Sequence, residues 1–454
     1  MSISRVFVAN RGEIALRVLR TAKAMGLETV IGVSAADRDG LPAQMADRAV
    51  VLGPAQATQS YLDVDLVLHA AKLTGCDALH PGYGFLSEKP ELARRCDEEG
   101  ITFIGPRPET IEAMGDKLSA IAVARAAKVS TVPGTDMIDS AARAAEAAEE
   151  LGYPVVMKAS AGGGGKGMFL ARSADGLASA FARASREAEA AFGDGRLYME
   201  RFVEQARHVE VQIIGDGEGN VLHFGDRDCS VQRRYQKLIE EAPVTAMPPA
   251  LQQRLRDSAA RLCAHAKYRG AGTVEFLYDV AREDFYFIEV NSRIQVEHPV
   301  TEEITGHDLI RHQILAASGA GLQIAQDQIT LSGHALEVRI NAEDPDRGFA
   351  PAPGRLTAWS PPEHDGVRLD SHMRNGDLVP PFYDSMVGKL ITRGKTRDDA
   401  IESMLRAIRD FRVEGVTTTL PFAARIIDHP DFRNNTITTR WLEDHVLTAA
   451  PEHA

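Results

Sequence analysis

The sequence contains few cysteines, few aromatic residues and no long hydrophobic run. Its four cysteines are Cys76, Cys96, Cys229 and Cys263. Their spacing matches no metal site and, without a secretory context, predicts reduced thiols in a cytoplasm-like compartment. The apolar run near the N-terminus is too short for a signal peptide, and no stretch approaches the roughly 20 apolar residues of a membrane span. We therefore expect a soluble cytoplasmic protein with no membrane partner.

Basic residues are also in the minority. The 51 lysines and arginines are outnumbered by 64 acidic residues, and the net charge of −13 argues against nucleic acid as a partner. The exception is the basic segment Arg227–Lys237, which indicates either a site for a triphosphate or bicarbonate or a solvated loop. A length of 454 residues, 44% of them hydrophobic, suggests about three domains with substantial cores.

The most informative segment predicts a hairpin that carries opposed acids. Two runs rich in β-branched and aromatic residues, Thr273–Tyr278 and Phe285–Val290, flank a polar turn. A turn centred on Arg282 would place Glu275 directly opposite Glu289. Carboxylates opposed in this way lie ~5 Å apart and repel each other, unless they share a proton or bind a hard cation such as Mg²⁺.

The residues that follow Glu289 strengthen this interpretation. Alternation along the strand places Glu289, Asn291 and Arg293 on one face, and another acid, Glu297, follows. A solvated hairpin with salt bridges would explain the alternation, but not opposed carboxylates among large apolar side chains. We therefore predict a metal–phosphate site on this hairpin.

A glycine-rich loop supplies a second signal. The predicted strand Tyr153–Ser160 runs into Gly162–Gly165, and another predicted strand, Met168–Arg172, follows. Consecutive glycines cost backbone entropy but allow close approach of amide groups to phosphate oxygens. The segment matches neither a dinucleotide fingerprint nor a Walker A motif. With Lys158 and Lys166 beside it, the loop predicts a lid over phosphates, the alternative being a flexible surface loop.

Strand and helix alternate in the first hundred residues, which predicts a parallel, doubly wound α/β unit. We expect strand Arg5–Ala9, helix Gly12–Met25, strands Thr29–Val33 and Ala49–Leu52, helix Val64–Thr74 and strands Ala78–His80 and Ile101–Ile104.

Beyond this unit, a single helix is predicted over Glu109–Ala127, and a strand-rich centre extends to Glu297. Within the centre, His208, Glu210 and Gln212 share one face of a predicted strand, which faces either solvent or a nucleotide. A last unit begins near Gly333.

Several segments together resemble the ATP-grasp superfamily and, within it, the biotin carboxylase subunit of acyl-CoA and pyruvate carboxylases. They are Ala9–Ala15, His80–Glu88, Met114–Lys117, Arg227–Ser230, Glu240–Pro243, Asn291–Pro299 and Arg339–Asp344. The resemblance covers nearly the whole chain. It implies an α/β and α+β architecture, an ATP-grasp fold with an N-terminal doubly wound parallel α/β domain and a C-terminal mixed β/α domain.

The resemblance also implies the division of the chain. Residues 1–114 correspond to the N-terminal domain, 115–332 to the ATP-grasp domain with a lid at about 131–203, 333–446 to the C-terminal domain, and 447–454 to a tail.

Roles transfer from the family residue by residue. The resemblance implies metal ligands at Glu275, Glu289 and Asn291. It implies ATP contacts at Lys117, Lys158, Gly163, Gly164, Gly165, Lys166, Glu200, Val203, His208, Gln232 and Tyr235. It implies bicarbonate or biotin contacts at Arg293, Gln295, Val296 and Arg339, and catalytic roles for Lys237, Arg293, Glu297 and Arg339.

Among the catalytic residues, Glu297 corresponds to the base that deprotonates bicarbonate, and we expect Arg293 to keep it ionised by lowering its pKa. Arg339 corresponds to the residue that stabilises the biotin enolate. Two positions depart from the family: Tyr235 stands where some relatives have histidine, and Ala161 replaces a glycine of the lid.

The implied activity is that of a ligase that uses ATP, Mg²⁺ or Mn²⁺ and bicarbonate to carboxylate biotin through carboxyphosphate. The only Met-Lys pair, Met157-Lys158, lies in the nucleotide strand, so we expect the biotin to be on a separate carrier protein that serves a carboxyltransferase. The resemblance also implies a homodimer.

Two alternative functions agree less well with these segments. Another ATP-grasp ligase that forms an acyl-phosphate would share the acid pair, but we would not expect the segments Asn291–Pro299 and Arg339–Asp344 in it. A non-catalytic ATP-binding subunit is disfavoured because Glu275, Glu297 and Arg339 are all present.

Overall fold

The computed structural model describes residues 3–159 and 168–447. In these residues the strands form a five-stranded, a three-stranded and an eight-stranded sheet, with three two-stranded ribbons. No helix in this part of the chain is long and apolar enough to cross a lipid bilayer.

The N-terminal unit is a parallel sheet with helices between its strands. The strands are β1 (Arg5–Val8), β2 (Glu28–Ser34), β3 (Arg48–Gly53), β4 (Ala78–His80) and β5 (Thr102–Phe103), and the helices are α1 (Gly12–Ala24), α2 (Leu41–Met45), α3 (Val64–Leu73), α4 (Pro90–Glu98) and α5 (Pro108–Gly115). The strand order β3-β2-β1-β4-β5 is parallel throughout. Because helices cover both faces, the central strand β1 is an apolar run with Val6, Phe7 and Val8 fully buried. The predicted doubly wound unit is confirmed.

The prediction of a single helix over Glu109–Ala127 is wrong. The segment forms two helices, α5 and α6 (Lys117–Ala126), separated by Asp116. Asp116 has extended backbone angles, and its carboxylate accepts a hydrogen bond from the Ser119 amide at 2.8 Å. An aspartate in this position caps the second helix, which explains the break.

A small antiparallel sheet with its own core follows. The strands of this sheet are β6 (Val155–Ala159), β7 (Met168–Ala171) and β8 (Leu197–Arg201), in the order β7-β6-β8. The helices α7 (Ala141–Leu151) and α8 (Leu177–Phe192) belong to the same unit. Met157, Leu197 and Met199 are fully buried at its centre. Ala161 and the predicted phosphate contacts at Gly163, Gly164, Gly165 and Lys166 lie outside the described residues.

The eight-stranded antiparallel sheet is the largest element of the fold. Its order is Asp284–Asn291, Arg269–Asp279, Ala206–Asp216, Val221–Arg233, Gln236–Ala242, His334–Asn341, Met386–Gly394 and Val367–Ser371. In chain order the remaining elements are β9 (Ala206–Asp216), β10 (Val221–Arg233), β11 (Gln236–Ala242), α9 (Pro249–His265), β12 (Arg269–Asp279), β13 (Asp284–Asn291), α10 (His298–Thr305), α11 (Leu309–Ala317), β14 (His334–Asn341), β15 (Glu343–Asp344), β16 (Ala350–Pro351), β17 (Gly354–Arg355), β18 (Ala358–Ser360), β19 (Val367–Ser371), β20 (Leu378–Val379), β21 (Met386–Gly394), α12 (Arg397–Asp410), β22 (Arg412–Glu414), α13 (Leu420–Ile427) and α14 (Pro430–Arg433), followed by a helical segment Leu442–Leu447.

This sheet is shared between the centre and the last third of the chain, because β11 pairs with β14. The prediction of a strand-rich centre up to Glu297 is therefore incomplete in two ways: it omitted the helices α8 and α9, and the sheet continues past Gly333. In α9 the buried residues Leu251, Leu255, Ala259 and Leu262 recur every three or four positions, which is the helical period.

Candidate active site

A cleft of about 830 Å³ lies between the N-terminal unit, the small sheet and the central sheet. Every predicted site residue that the structure describes lines it: Lys117, Lys158, Glu200, Val203, His208, Gln232, Tyr235, Lys237, Glu275, Glu289, Asn291, Arg293, Gln295, Val296, Glu297 and Arg339. A concave site that gathers this many charged groups is a strong candidate for an active site.

The predicted pairing of Glu275 with Glu289 is confirmed, since β12 and β13 place the two residues directly opposite each other. Nearer the turn the register shifts by one residue: Phe276 pairs with Phe287, which leaves Ile288 unpaired. The turn is therefore not centred on Arg282 as predicted. Such a β-bulge re-aims side chains without ending the ladder, and here it keeps both acids on the cleft.

The two acids have different surroundings. Oε1 of Glu275 accepts hydrogen bonds from Lys237 (2.8 Å), Asn291 (2.8 Å) and Gln295 (2.9 Å), and its Oε2 lies 2.9 Å from Nε2 of His208. Burial would raise the pKa of Glu275, but Lys237 and His208 hold it well below its ordinary value. Glu289 makes no hydrogen bond or ion pair within the described residues, and burial together with the charge of Glu275 raises its pKa.

Lys237 connects three carboxylates. Its Nζ donates to Glu210 (2.6 Å), Glu275 (2.8 Å) and Glu297 (2.6 Å). Burial opposes the charged amine, but the three acids raise its pKa well above the ordinary lysine value. A second bulge lies beside it, because Gln232 pairs with Lys237 and Val231 with Ile239.

Glu297 is buried between two cations at one end of the cleft. Its Oε1 accepts from Lys237, and its Oε2 accepts from Nη2 of Arg339 at 3.0 Å. Burial would raise the pKa of this carboxyl, but Lys237, Arg339 and Arg227 lower it far below its ordinary value. The carboxylate is thus ionised as predicted, although these three cations, rather than Arg293, are the principal cause.

The basic segment Arg227–Lys237 is not a solvated loop at its start. Arg227 is fully buried and donates to Glu210, Gln212 (2.8 Å), Thr273 (3.0 Å), Thr301 (3.0 Å) and Gln295 (2.9 Å). Glu210 and Gln212 are fully buried as well, so this face of β9 is not exposed to solvent. In the sequence, Arg227 belongs to the basic segment and Glu210 to one face of a predicted strand. Only the packing shows that these two residues belong to one buried layer.

The predicted nucleotide contacts line the same cleft. Lys158 forms an ion pair with Glu200 across neighbouring strands. Burial lowers the pKa of Lys117. Nδ1 of His208 lies 2.7 Å from the Gln232 amide nitrogen. Tyr235 occupies the β10–β11 turn with a positive φ of 64°, and 60% of it is exposed.

Two N-terminal segments contribute residues that the sequence did not assign to the site. Glu88 accepts from Nε of Arg293 (3.0 Å) and from the Ser292 amide (3.1 Å). The Asn10 side chain donates to the carbonyls of Pro81 (2.7 Å) and Tyr83 (2.8 Å). Both segments were singled out by the resemblance, but their contacts depend on strands that are distant in sequence.

Comparisons with known proteins agree with this geometry. The biotin carboxylase N-terminal domain matches residues 2–111, the ATP-binding domain of the carbamoyl-phosphate synthase L chain matches 116–325, and the biotin carboxylase C-terminal domain matches 337–444. Biotin carboxylase 1 of Bacillus subtilis is 46% identical over 444 residues, which cover 98% of this chain and 99% of that protein.

Solved structures give the same result. The biotin carboxylase–β-γ-ATP complex from Campylobacter jejuni has a TM-score of 0.93 at 44% identity, covering 98% of this chain and 99% of its own. The biotin carboxylase domain dimer of Hydrogenobacter thermophilus 2-oxoglutarate carboxylase, in complex with MgADP, ADP and bicarbonate, has a TM-score of 0.91 at 42% identity, covering 98% of each chain.

Proposed function

This chain belongs to the biotin carboxylase family, and we propose that it is the ligase that carboxylates biotin with ATP and bicarbonate. The observation that carries the proposal is Glu297: a buried, ionised carboxylate held by Lys237 and Arg339 beside the opposed acids Glu275 and Glu289. One cleft thus holds a base for bicarbonate, cations for the anions that form, and a candidate metal pair.

The first chemical step uses Glu297 as general base. Its carboxylate takes the proton of bicarbonate, a bicarbonate oxygen attacks the γ-phosphorus of ATP, and the bond to the β–γ bridging oxygen breaks to release ADP. The product is carboxyphosphate. Lys237 neutralises negative charge as the phosphoryl group is transferred, and Arg293, Gln295 and Val296 position bicarbonate.

The acid pair fits a divalent cation. Glu275 and Glu289 are directly opposed, and within the described residues the carboxylate of Glu289 makes no hydrogen bond or ion pair. Oxygen ligands from these carboxylates and from Asn291 are those that Mg²⁺ or Mn²⁺ prefers. When bound, the cation supplies charge neutralisation at the phosphates.

The second step transfers the carboxyl group to biotin. Carboxyphosphate gives CO₂ and phosphate, the phosphate removes the proton of biotin N1′, and the resulting enolate attacks CO₂. Arg339 stabilises the enolate charge, which its guanidinium can do from the position it holds beside Glu297. Because carboxyphosphate hydrolyses readily, water has to be excluded, which we assign to the glycine-rich segment Gly163–Lys166.

Nucleotide binding is assigned to the residues of the cleft that the resemblance implies. We assign phosphate contacts to Lys117, Lys158 and His208, and the adenine side to Glu200 and Val203, with Gln232 and Tyr235 nearby. All of them line the cleft. The division into domains at 1–114, 115–332 and 333–446 stays a prediction.

Partners follow from the family. We assign the biotin to a carrier protein, which delivers its carboxyl group to a carboxyltransferase subunit, and we assign a homodimer to this chain because a related domain was solved as a dimer.

The test is ADP release from MgATP with and without bicarbonate and free biotin. Bicarbonate-dependent turnover that biotin stimulates would support the proposal. Bicarbonate-dependent turnover that ignores biotin would indicate a carboxyphosphate-forming ligase with another acceptor, and absence of turnover with a correctly folded protein would contradict the proposal.

A further inference from the structure

Lys389 is a fully buried lysine in the middle of β21. Within the described residues, the only hydrogen bond of the Lys389 side chain runs from Nζ to the main-chain carbonyl of Val296, at 2.7 Å. A buried ammonium is costly unless it is paired. Its nearest acid is Glu13, whose Oε2 lies 3.4 Å from Nζ.

Strand register explains why Lys389 lies at this position. On β14 and β21, Arg339 and Lys389 are directly opposed, and on β21 and β19, Lys389 and Asp370 are opposed. Opposed residues of antiparallel strands project to the same face of a sheet. One row of the sheet therefore sends Arg339 to the Glu297 carboxylate and Lys389 to the main chain immediately before Glu297.

Glu13 connects Lys389 to the wall of the cleft. Its other oxygen, Oε1, accepts a hydrogen bond from the hydroxyl of Tyr83, and both Glu13 and Tyr83 line the cleft. The contacts thus form a chain from Tyr83 through Glu13 and Lys389 to the Val296 carbonyl. The two N-terminal segments that the resemblance singled out supply its first two members.

The main chain at Val296 needs such support because the side-chain contacts of Glu297 are shared. In the proposed reaction, Lys237 also serves the phosphoryl group and Arg339 also serves the biotin enolate, so neither can hold Glu297 throughout the cycle. Lys389 is fully buried and does not line the cleft, and the proposed reaction gives it no contact with a substrate. A fixed peptide keeps the base within reach of bicarbonate while its carboxylate changes partners.

We propose that Lys389 is a positioning residue for bicarbonate activation: by binding the Val296 carbonyl it fixes the Val296–Glu297 peptide and thereby the base Glu297. This inference rests on the proposed function. It assigns no direct contact between Lys389 and a substrate.

The test uses a charge-balanced pair of substitutions, Glu13→Gln with Lys389→Met, in the full chain. The two substitutions remove both members of the Glu13–Lys389 pair, but also a cation that favours ionisation of the buried Glu337 and Asp370, so folding of the double variant is checked before its kinetics are measured. We expect the KM for bicarbonate to rise about tenfold or more and kcat to fall, because a charge-assisted hydrogen bond to the bicarbonate pocket is lost. The KM for MgATP should stay within about twofold. Glu13→Gln alone retains the Lys389 bond and should have a smaller effect.

The matched control is Arg397→Met, which removes a cation bonded to Glu241 and to the Phe432 carbonyl, away from the cleft. This variant should lose stability but keep the wild-type KM for bicarbonate. Wild-type bicarbonate KM in the folded double variant, or an equal rise in the Arg397→Met variant, would overturn the role of Lys389.

A measurement on the unaltered protein decides the matter if the double variant does not fold. A crystal structure with bicarbonate should retain the bond between Lys389 and the Val296 carbonyl; separation of these atoms beyond hydrogen-bond distance would refute the proposal. If the wild type shows no bicarbonate-dependent turnover at all, it is the proposed function that fails.

Discussion

Glu240 and Glu241 are neighbours on β11, yet they belong to two different buried charge clusters. Glu240 lies beside Arg339: one of its oxygens accepts from Nε of Arg339 at 2.6 Å, and the other has no hydrogen-bond partner among the described residues. Glu241 faces the opposite side, where it binds His334 at 3.0 Å and Arg397 at 2.7 and 3.0 Å. Arg397 also donates to main-chain carbonyls.

The two clusters perturb their acids in opposite directions. Burial raises the pKa of Glu240 to about 7, because Arg339 only partly offsets it and Glu297 adds a like charge. Burial of Glu241 is outweighed by His334 and Arg397, which lower its pKa to about 2. The cluster around Glu241, called the closed cluster, pairs this acid with His334 and Arg397 and contributes stability. The cluster around Glu240 and Glu297, called the open cluster below, shares its cations among several acids. These cations are therefore available to bind anionic substrates.

The largest effect should come from the open cluster. Glu297→Gln removes the base but keeps a side chain of similar size, whose single amide oxygen replaces only one of the two acceptors that Lys237 and Arg339 use. We expect bicarbonate-dependent ADP release to fall at least about a hundredfold, since general base catalysis contributes on that scale, while MgATP affinity stays within about threefold. Turnover assays and calorimetric nucleotide titration measure the two quantities. A parallel loss of nucleotide binding would contradict the assignment of Glu297 as base.

A smaller effect should separate the two steps of the reaction. Arg339→Ala removes the residue assigned to the biotin enolate, so carboxybiotin formation should fall about tenfold more than bicarbonate-dependent ATP cleavage. Carboxybiotin and ADP are measured in the same reaction. Because Arg339 also binds Glu297, some loss of ATP cleavage is expected; equal losses in both products would refute the enolate role.

A third effect should appear in stability and its pH dependence rather than in turnover. The Glu241 pKa is depressed from 4.5 to about 2, so its contribution is present above pH 4.5 and is lost as the pH falls toward 2. Glu241→Gln should therefore cost about 3 kcal/mol of unfolding free energy at neutral pH and less in acid. The Glu240 pKa is raised from 4.5 to about 7, so its ionisation penalises the folded state increasingly from pH 4.5 to 7.

Relative to wild type, Glu240→Gln should consequently become more favourable to stability as the pH rises through that window. Thermal or urea unfolding at pH 3.5, 5 and 7.5 tests both variants. The same pH trend for the two substitutions would remove the distinction between the clusters.

Local patterns predicted much of this molecule correctly. The alternating strands and helices of the N-terminal unit came close to the observed bounds, as with helix Gly12–Met25 against α1 (Gly12–Ala24). The predicted opposition of Glu275 and Glu289 is confirmed, but in the structure it depends on the bulge at Ile288 as well as on the turn. Features that depend on one extra residue were missed: the bulge at Ile288 and the cap at Asp116 both interrupt a regular period.

The sequence by itself determined the class of the fold, the acid pair and the set of residues that resemble the family, because period and motif are local properties. Only the tertiary structure decided which cations keep Glu297 ionised, that Glu240 and Glu241 face different clusters, and that Lys389 reaches the carbonyl of Val296. These contacts join residues up to 156 positions apart, and the electrostatics of a buried charge depend on every neighbour that the packing brings to it.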